Sequence, residues 1–125
     1  MVAAVAAHQE IESDLVPAIA TAFCSGISES GGMCGALTGG ILALSMAGGR
    51  RSNADSREAL YAQTRILISG FQDQFEAINC PDLIHIQLGT PEASAAYKAG
   101  GLSRQCEEYI RAATEQAVIL LQEAD

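Results

Sequence analysis

Apolar residues recur along the chain in steps of three and four. The clearest stripe runs through Leu60, Thr64, Leu67, Ile68, Phe71, Phe75 and Ile78, one face of a helix. Just upstream, Asp55-Ser56-Arg57-Glu58 has the form of a capping box, with Asp55 as N-cap and Glu58 at the third position. A second stripe carries Cys106, Tyr109, Ile110, Ala113, Ala117, Leu120 and Leu121 and predicts a long helix capped by Ser103. Between the two, Cys80-Pro81-Asp82-Leu83 starts a short helix ending near Gln87, because proline is favoured in the first helical position. Thr90-Pro91-Glu92 starts another, closed by Gly100-Gly101.

The first part of the chain is less regular. A helical segment is expected from Ala3 to Phe23, with Pro17 kinking it or starting a second helix and Ile19, Ala22 and Phe23 turned inward. The glycines and serines from Ser25 to Gly32 break the pattern. After them, CGALTGGILALSMAGG is apolar or small on almost every side, the mark of a central helix covered by neighbours, and Gly48-Gly49 ends it. Its glycines cost about 1 kcal/mol each in helix propensity, so something must approach the backbone there, either another helix or a cofactor. Arg50 to Asn53 read as a polar turn. Nothing alternates with period two for long enough to make a sheet. The expectation is an all-α fold, a small bundle of about four main helices plus short ones around a central Gly/Ala-rich buried helix, with residues 1–125 as one domain.

Composition narrows the functional classes. Of the 125 residues, 49% are hydrophobic and 18% charged, which suits a folded core. The net charge of −8 opposes binding to nucleic acid and to anionic membrane surfaces. The most apolar run, Cys34 to Gly48, is shorter than the ~20 residues a bilayer requires, so no membrane insertion is expected. MVAAVAAHQEIESD lacks the basic region of a secretion signal, and a cytoplasmic location is expected.

Chemistry concentrates in four cysteines, Cys24, Cys34, Cys80 and Cys106, none of them in a CxxC pair. Cys34, Cys80 and Cys106 fall at or within the first turn of an expected helix, while Cys24 ends the first helical segment. Unpaired N–H groups at a helix start lower a thiol's pKa, and the thiolate is both nucleophile and metal ligand. Three readings follow: metal or cluster ligation, thiol–disulfide exchange with Cys34 as the attacking thiol, and a structural or partner-binding bundle with inert buried thiols. His8 and His85 lack partners at metal-binding spacing, and Glu10, Glu12 and Asp14 read as a solvated face.

CGALTG, from Cys34 to Gly39, resembles the CGAxxG motif of a family of redox-active proteins named for its cysteine pattern, C_GCAxxG_C_C. The family has further cysteines downstream, where Cys80 and Cys106 lie, and the similarity covers roughly Ala20 to Glu123. The family is similar to the N-terminal region of split-Soret cytochromes c, whose cysteines are associated with an iron–sulfur centre. The resemblance therefore implies an iron–sulfur cluster and electron transfer through Cys34, Cys80 and Cys106, with Cys24 as the fourth ligand. It also implies a redox partner protein, and the apolar central helix suggests a homodimer; whether the chain is an enzyme stays open. Gly31, Gly32 and Gly35 are placed to let backbone N–H groups reach the sulfurs. One departure stands out. Cys24 lies only ten residues before Cys34, whereas the family pattern sets its first cysteine well upstream. No CxxCH occurs, so the covalent haem part of those cytochromes is missing.

Overall fold

A computed structural model describes residues 2–123, the side chains of Ala4 and His8 excepted. The fold is all-α. Its elements are α1 (Val2–His8), a 3-10 helix (Ala18–Phe23), α2 (Cys24–Glu29), α3 (Gly35–Gly48), α4 (Glu58–Phe75), α5 (Cys80–Ile84), α6 (Pro91–Ala99) and α7 (Leu102–Glu123).

The central element is α3, as its all-round apolar sequence requires. It packs on α7, α4 and α1, and Ala36, Leu37, Thr38, Gly39, Gly40, Ala43 and Leu44 are all buried. Leu37, Leu44 and Leu67 are wholly buried, each contributing about 1.5–3 kcal/mol of apolar burial. Ile41, Leu42, Met46 and Ala47 of α3 are half-buried, and Gly39 and Leu42 lie on a cavity.

The two apolar stripes do what their spacing predicts. Leu67 and Phe71 of α4 and Tyr109, Ala113, Ala117, Leu120 and Leu121 of α7 are buried. Phe71, Phe75 and Tyr109 form an aromatic triplet with ring centroids 4.8 to 5.9 Å apart. Gln63 Nε2 donates to the Leu120 carbonyl at 3.1 Å and ties the two helices at their far end.

Element boundaries differ from expectation in several places. Instead of one helix from Ala3 to Phe23, the chain leaves α1 at His8 and re-enters helical geometry at Ala18, with Pro17 as N-cap of the 3-10 turn. Ile19 and Ala22 are exposed, and only Phe23 of the expected inward trio is half-buried. Asp55 is not the N-cap of α4. Its Oδ2 accepts from the N–H groups of Arg51 and Ser52, closing the preceding turn, and α4 begins at Glu58. Ser103 lies inside α7 rather than capping it, so Cys106 sits in the second turn of that helix. Ile110 is exposed on α7, and α5 stops at Ile84, where His85 takes a left-handed conformation (φ 60°). Thr90 is the expected cap: its side chain accepts from the Ala93 N–H at 3.1 Å.

A candidate redox site

Two of the cysteines are brought together by a single backbone pairing. Met33 and Asn79 form an isolated antiparallel bridge. The Cys34 N–H donates to the Ile78 carbonyl at 2.7 Å, and the Cys80 N–H donates to the Gly32 carbonyl at 2.9 Å. The bridge thus fixes the start of α3 beside the start of α5. Cys34 is the N-cap of α3, and its carbonyl accepts from the N–H groups of Leu37 and Thr38, both at 3.0 Å.

Cys24 reaches the same place by a different device. Ser25, Gly26, Ile27 and Ser28 all have φ between 55° and 69°, so α2 is a helical turn of left-handed sense. Such a turn costs about 1–2 kcal/mol for each residue with a Cβ. It reverses the chain just after Cys24 and lays Gly26 against Cys80: a Cβ on Gly26 would sit 2.5 Å from Cys80 Cβ and 3.4 Å from Cys80 Sγ. Gly35, the first residue of α3, lies under Cys24, since a Cβ there would be 3.3 Å from Cys24 Cα and from the Phe23 carbonyl oxygen. Close backbone approach is the reason for both glycines.

Cys106 comes from α7. Gly101 (φ 61°) turns the chain from α6 into α7, and Tyr97 on α6 then donates its hydroxyl to Cys106 Sγ at 3.4 Å. The Cys80 side is held to α7 by Gln105 Nε2 and the Tyr109 hydroxyl, which donate to the Leu83 carbonyl at 2.9 and 3.3 Å.

All four thiols line one cavity of about 740 Å³. Phe23, Gly35, Gly39, Leu42, Ile84 and Tyr97 are among the residues of its wall. The volume lies within the range of pockets that hold small molecules and cofactors. Cys34, Cys80 and Cys106 are half-buried and Cys24 is exposed; all four are free. Gly31 and Gly32 are not in the wall. Gly31 packs against Gln87, and the Gly32 N–H is committed to the Gly26 carbonyl at 2.8 Å, so of the three glycines singled out in the sequence only Gly35 faces the cavity. His85 is exposed at the end of α5, and the His8 side chain lies outside the described residues.

Electrostatics correct one expectation. Burial pushes the Cys34 thiol above its ordinary 9.0. The backbone N–H groups of Ala36 and Leu37 pull it down, as a helix start should, but they do not outweigh burial, and the nearby Cys106 adds to the rise. Cys80 is also raised, first by burial and then by the charges of Cys34 and Cys106. The Tyr97 phenol is pushed up to about 12, first by its hydrogen bond to Cys106, then by burial and by the charges of Cys106, Cys80 and Glu107.

The family profile described as "Putative redox-active protein (C_GCAxxG_C_C)" matches residues 1–120. The chain belongs to this family. The match begins at the first residue rather than near Ala20, so the segment before Cys24 is part of the family pattern. No curated protein and no solved structure matches the chain. The C_GCAxxG_C_C name spells out four cysteines, and this member carries four in the same order. The name's motif, however, reads Gly-Cys-Ala-x-x-Gly where this chain has Cys34-Gly35-Ala36-Leu37-Thr38-Gly39, so the expected CGAxxG motif is the family's with its first two residues exchanged.

Among the described residues of this family member, no three His, Cys, Asp or Glu side chains stand as ligands to one metal ion. Thiolates on a single tetrahedral zinc are held within about 4 Å of one another. Four cysteines on one cavity, in a redox-active family, are compatible with a bound cofactor. Sequence reasoning missed Tyr97 and Gly26. Neither has a local signal, because each acquires its role from a contact made across the fold.

Proposed function

We propose that this member of the C_GCAxxG_C_C family binds an iron–sulfur cluster on Cys24, Cys34, Cys80 and Cys106 and serves as an electron-transfer protein for a redox partner. The observation that carries this reading is the convergence of four cysteines, from four separate stretches of chain, on one cavity. When bound, a cluster would supply one-electron storage. The protein's own residues do the rest. The Met33–Asn79 bridge sets the Cys34–Cys80 pair, the left-handed turn at α2 brings in Cys24, and α7 supplies Cys106. The raised Cys34 and Cys80 thiols hold little free thiolate, which slows exchange. Exchange depends on the free thiolate fraction, whereas a bound metal deprotonates the coordinating thiol itself. A reducing compartment such as the cytoplasm keeps all four thiols available.

Anaerobic reconstitution with iron and sulfide tests the proposal. Visible absorption with matched iron and acid-labile sulfide is expected, and serine at Cys34 or Cys80 should abolish it. A colourless protein that instead forms one reversible disulfide would point to thiol–disulfide exchange. A colourless protein with four unreactive thiols would sink both redox readings.

A further inference from the structure

We propose that Tyr97 is a positioning residue for the site, one that holds and electronically tunes the Cys106 sulfur through its hydroxyl. The inference rests on the cluster reading above.

The geometry begins with α6. None of its residues is buried, yet it is sharply defined at its start by the Thr90 cap and followed directly by Gly100 and Gly101, which turn the chain into α7. This hairpin of helices places Tyr97 over Cys106, with the phenol oxygen 3.4 Å from Sγ and the ring in the cavity wall. Among the described residues, Cys106 is the one cysteine whose sulfur accepts a hydrogen bond from a side chain. The four sulfurs are therefore not equivalent. The backbone N–H groups of Ala36 and Leu37 act on Cys34, the Cys24 thiol itself donates to the Ala20 carbonyl at 3.9 Å, and Cys106 has a phenol. A donor on a ligand sulfur withdraws electron density from it and makes the attached iron easier to reduce. It also fixes the side-chain rotamer of a half-buried cysteine. Tyr97 is suited to this task because its hydroxyl can donate to sulfur while its ring stays against the apolar wall.

The test is Tyr97→Phe, which keeps the ring and removes only the donor. In protein reconstituted with iron and sulfide, the variant should bind the same amounts of both and show a midpoint potential shifted to a more negative value. An unchanged potential at full loading overturns the tuning role and leaves the cluster reading intact. Failure of the wild-type protein to bind iron overturns both. A second readout needs no metal. In the metal-free protein, the tyrosine Raman signal that reports phenol hydrogen bonding should change in Cys106→Ala, and this change should be absent when Cys106→Ala is made on a Tyr97→Phe background. A Raman signal that ignores Cys106 overturns the hydrogen bond, and the proposal with it.

Discussion

Gly26 and Cys80 touch backbone to side chain, with room between them for no more than a hydrogen on Gly26: an added Cβ would lie 2.5 Å from Cys80 Cβ. With φ at 69°, Gly26 is also in a region that residues bearing a Cβ rarely adopt. Gly26→Ala should therefore destabilise the protein by about 1–3 kcal/mol in urea unfolding and expose Cys80 to faster alkylation. Gly70, in the middle of α4 with no atom within 4 Å of an added Cβ, is the control. Gly70→Ala should gain up to about 1 kcal/mol. Equal behaviour of the two variants would contradict the close packing assigned to Gly26.

The central position of α3 predicts a large cost for truncating it. Leu37 is wholly buried three residues after Cys34. Leu37→Ala should lose about 2–5 kcal/mol, with the spread set by how far the neighbouring helices collapse into the space. Ile66→Ala, at a site 52% exposed, should stay within about 1 kcal/mol of wild type in the same denaturant series.

Raised thiols make stability fall at alkaline pH. The folded-state pKa values of Cys34 and Cys80 lie above those of the unfolded chain, chiefly because burial disfavours the thiolate. Their contribution is fully present below the ordinary value of 9.0 and is lost as pH rises through the raised values. The metal-free protein should lose stability from about pH 9 upward. Repulsion from the net charge of −8 acts in the same direction, so the comparison is with Cys34→Ala, whose urea midpoint should decline less steeply over that range. Parallel declines would remove Cys34 as a cause.

The left-handed turn needs external support, and Gln87 supplies part of it. Gln87 Nε2 donates to the Glu29 carbonyl at 3.0 Å and to the Leu88 carbonyl at 2.9 Å, bridging α2 to the strand of chain after α5. Ser28 Oγ adds a bond to the Ala22 carbonyl at 2.8 Å. Gln87→Ala should cost about 0.5–1.5 kcal/mol overall, while amide exchange across Cys24–Glu29 speeds up more than exchange in α4 or α7. Uniform acceleration everywhere would mean that Gln87 stabilises the fold globally and not this turn.

How much of this was legible depended on whether the signal was local. Helix periodicity exposed α4 and α7, and the all-round apolar run exposed α3, because burial imprints itself on every third or fourth residue. Proline and threonine gave the starts of α5 and α6 through backbone rules that act within one turn. The capping box at Asp55 misled, because the same carboxylate closes an earlier turn just as well. The segment just after Cys24 was illegible: a left-handed turn containing Ser25, Ile27 and Ser28 runs against local preference and exists through contacts made elsewhere. For the site, the positions of Cys34 and Cys80 at helix starts followed from sequence. Their thiol chemistry did not, because burial is a property of the whole packing, and it outweighed the helix start.

The Met33–Asn79 pairing also makes the site depend on distant parts of the chain. Cys34 and Cys80 are separated along the chain by all of α3 and α4, and no short-range structure holds them together. The pairing is therefore a long-range feature of the folded chain, lost whenever α3 and α4 come apart. Of the four thiols on the cavity, Cys24 is the exposed one, so it is the one solvent reaches most directly.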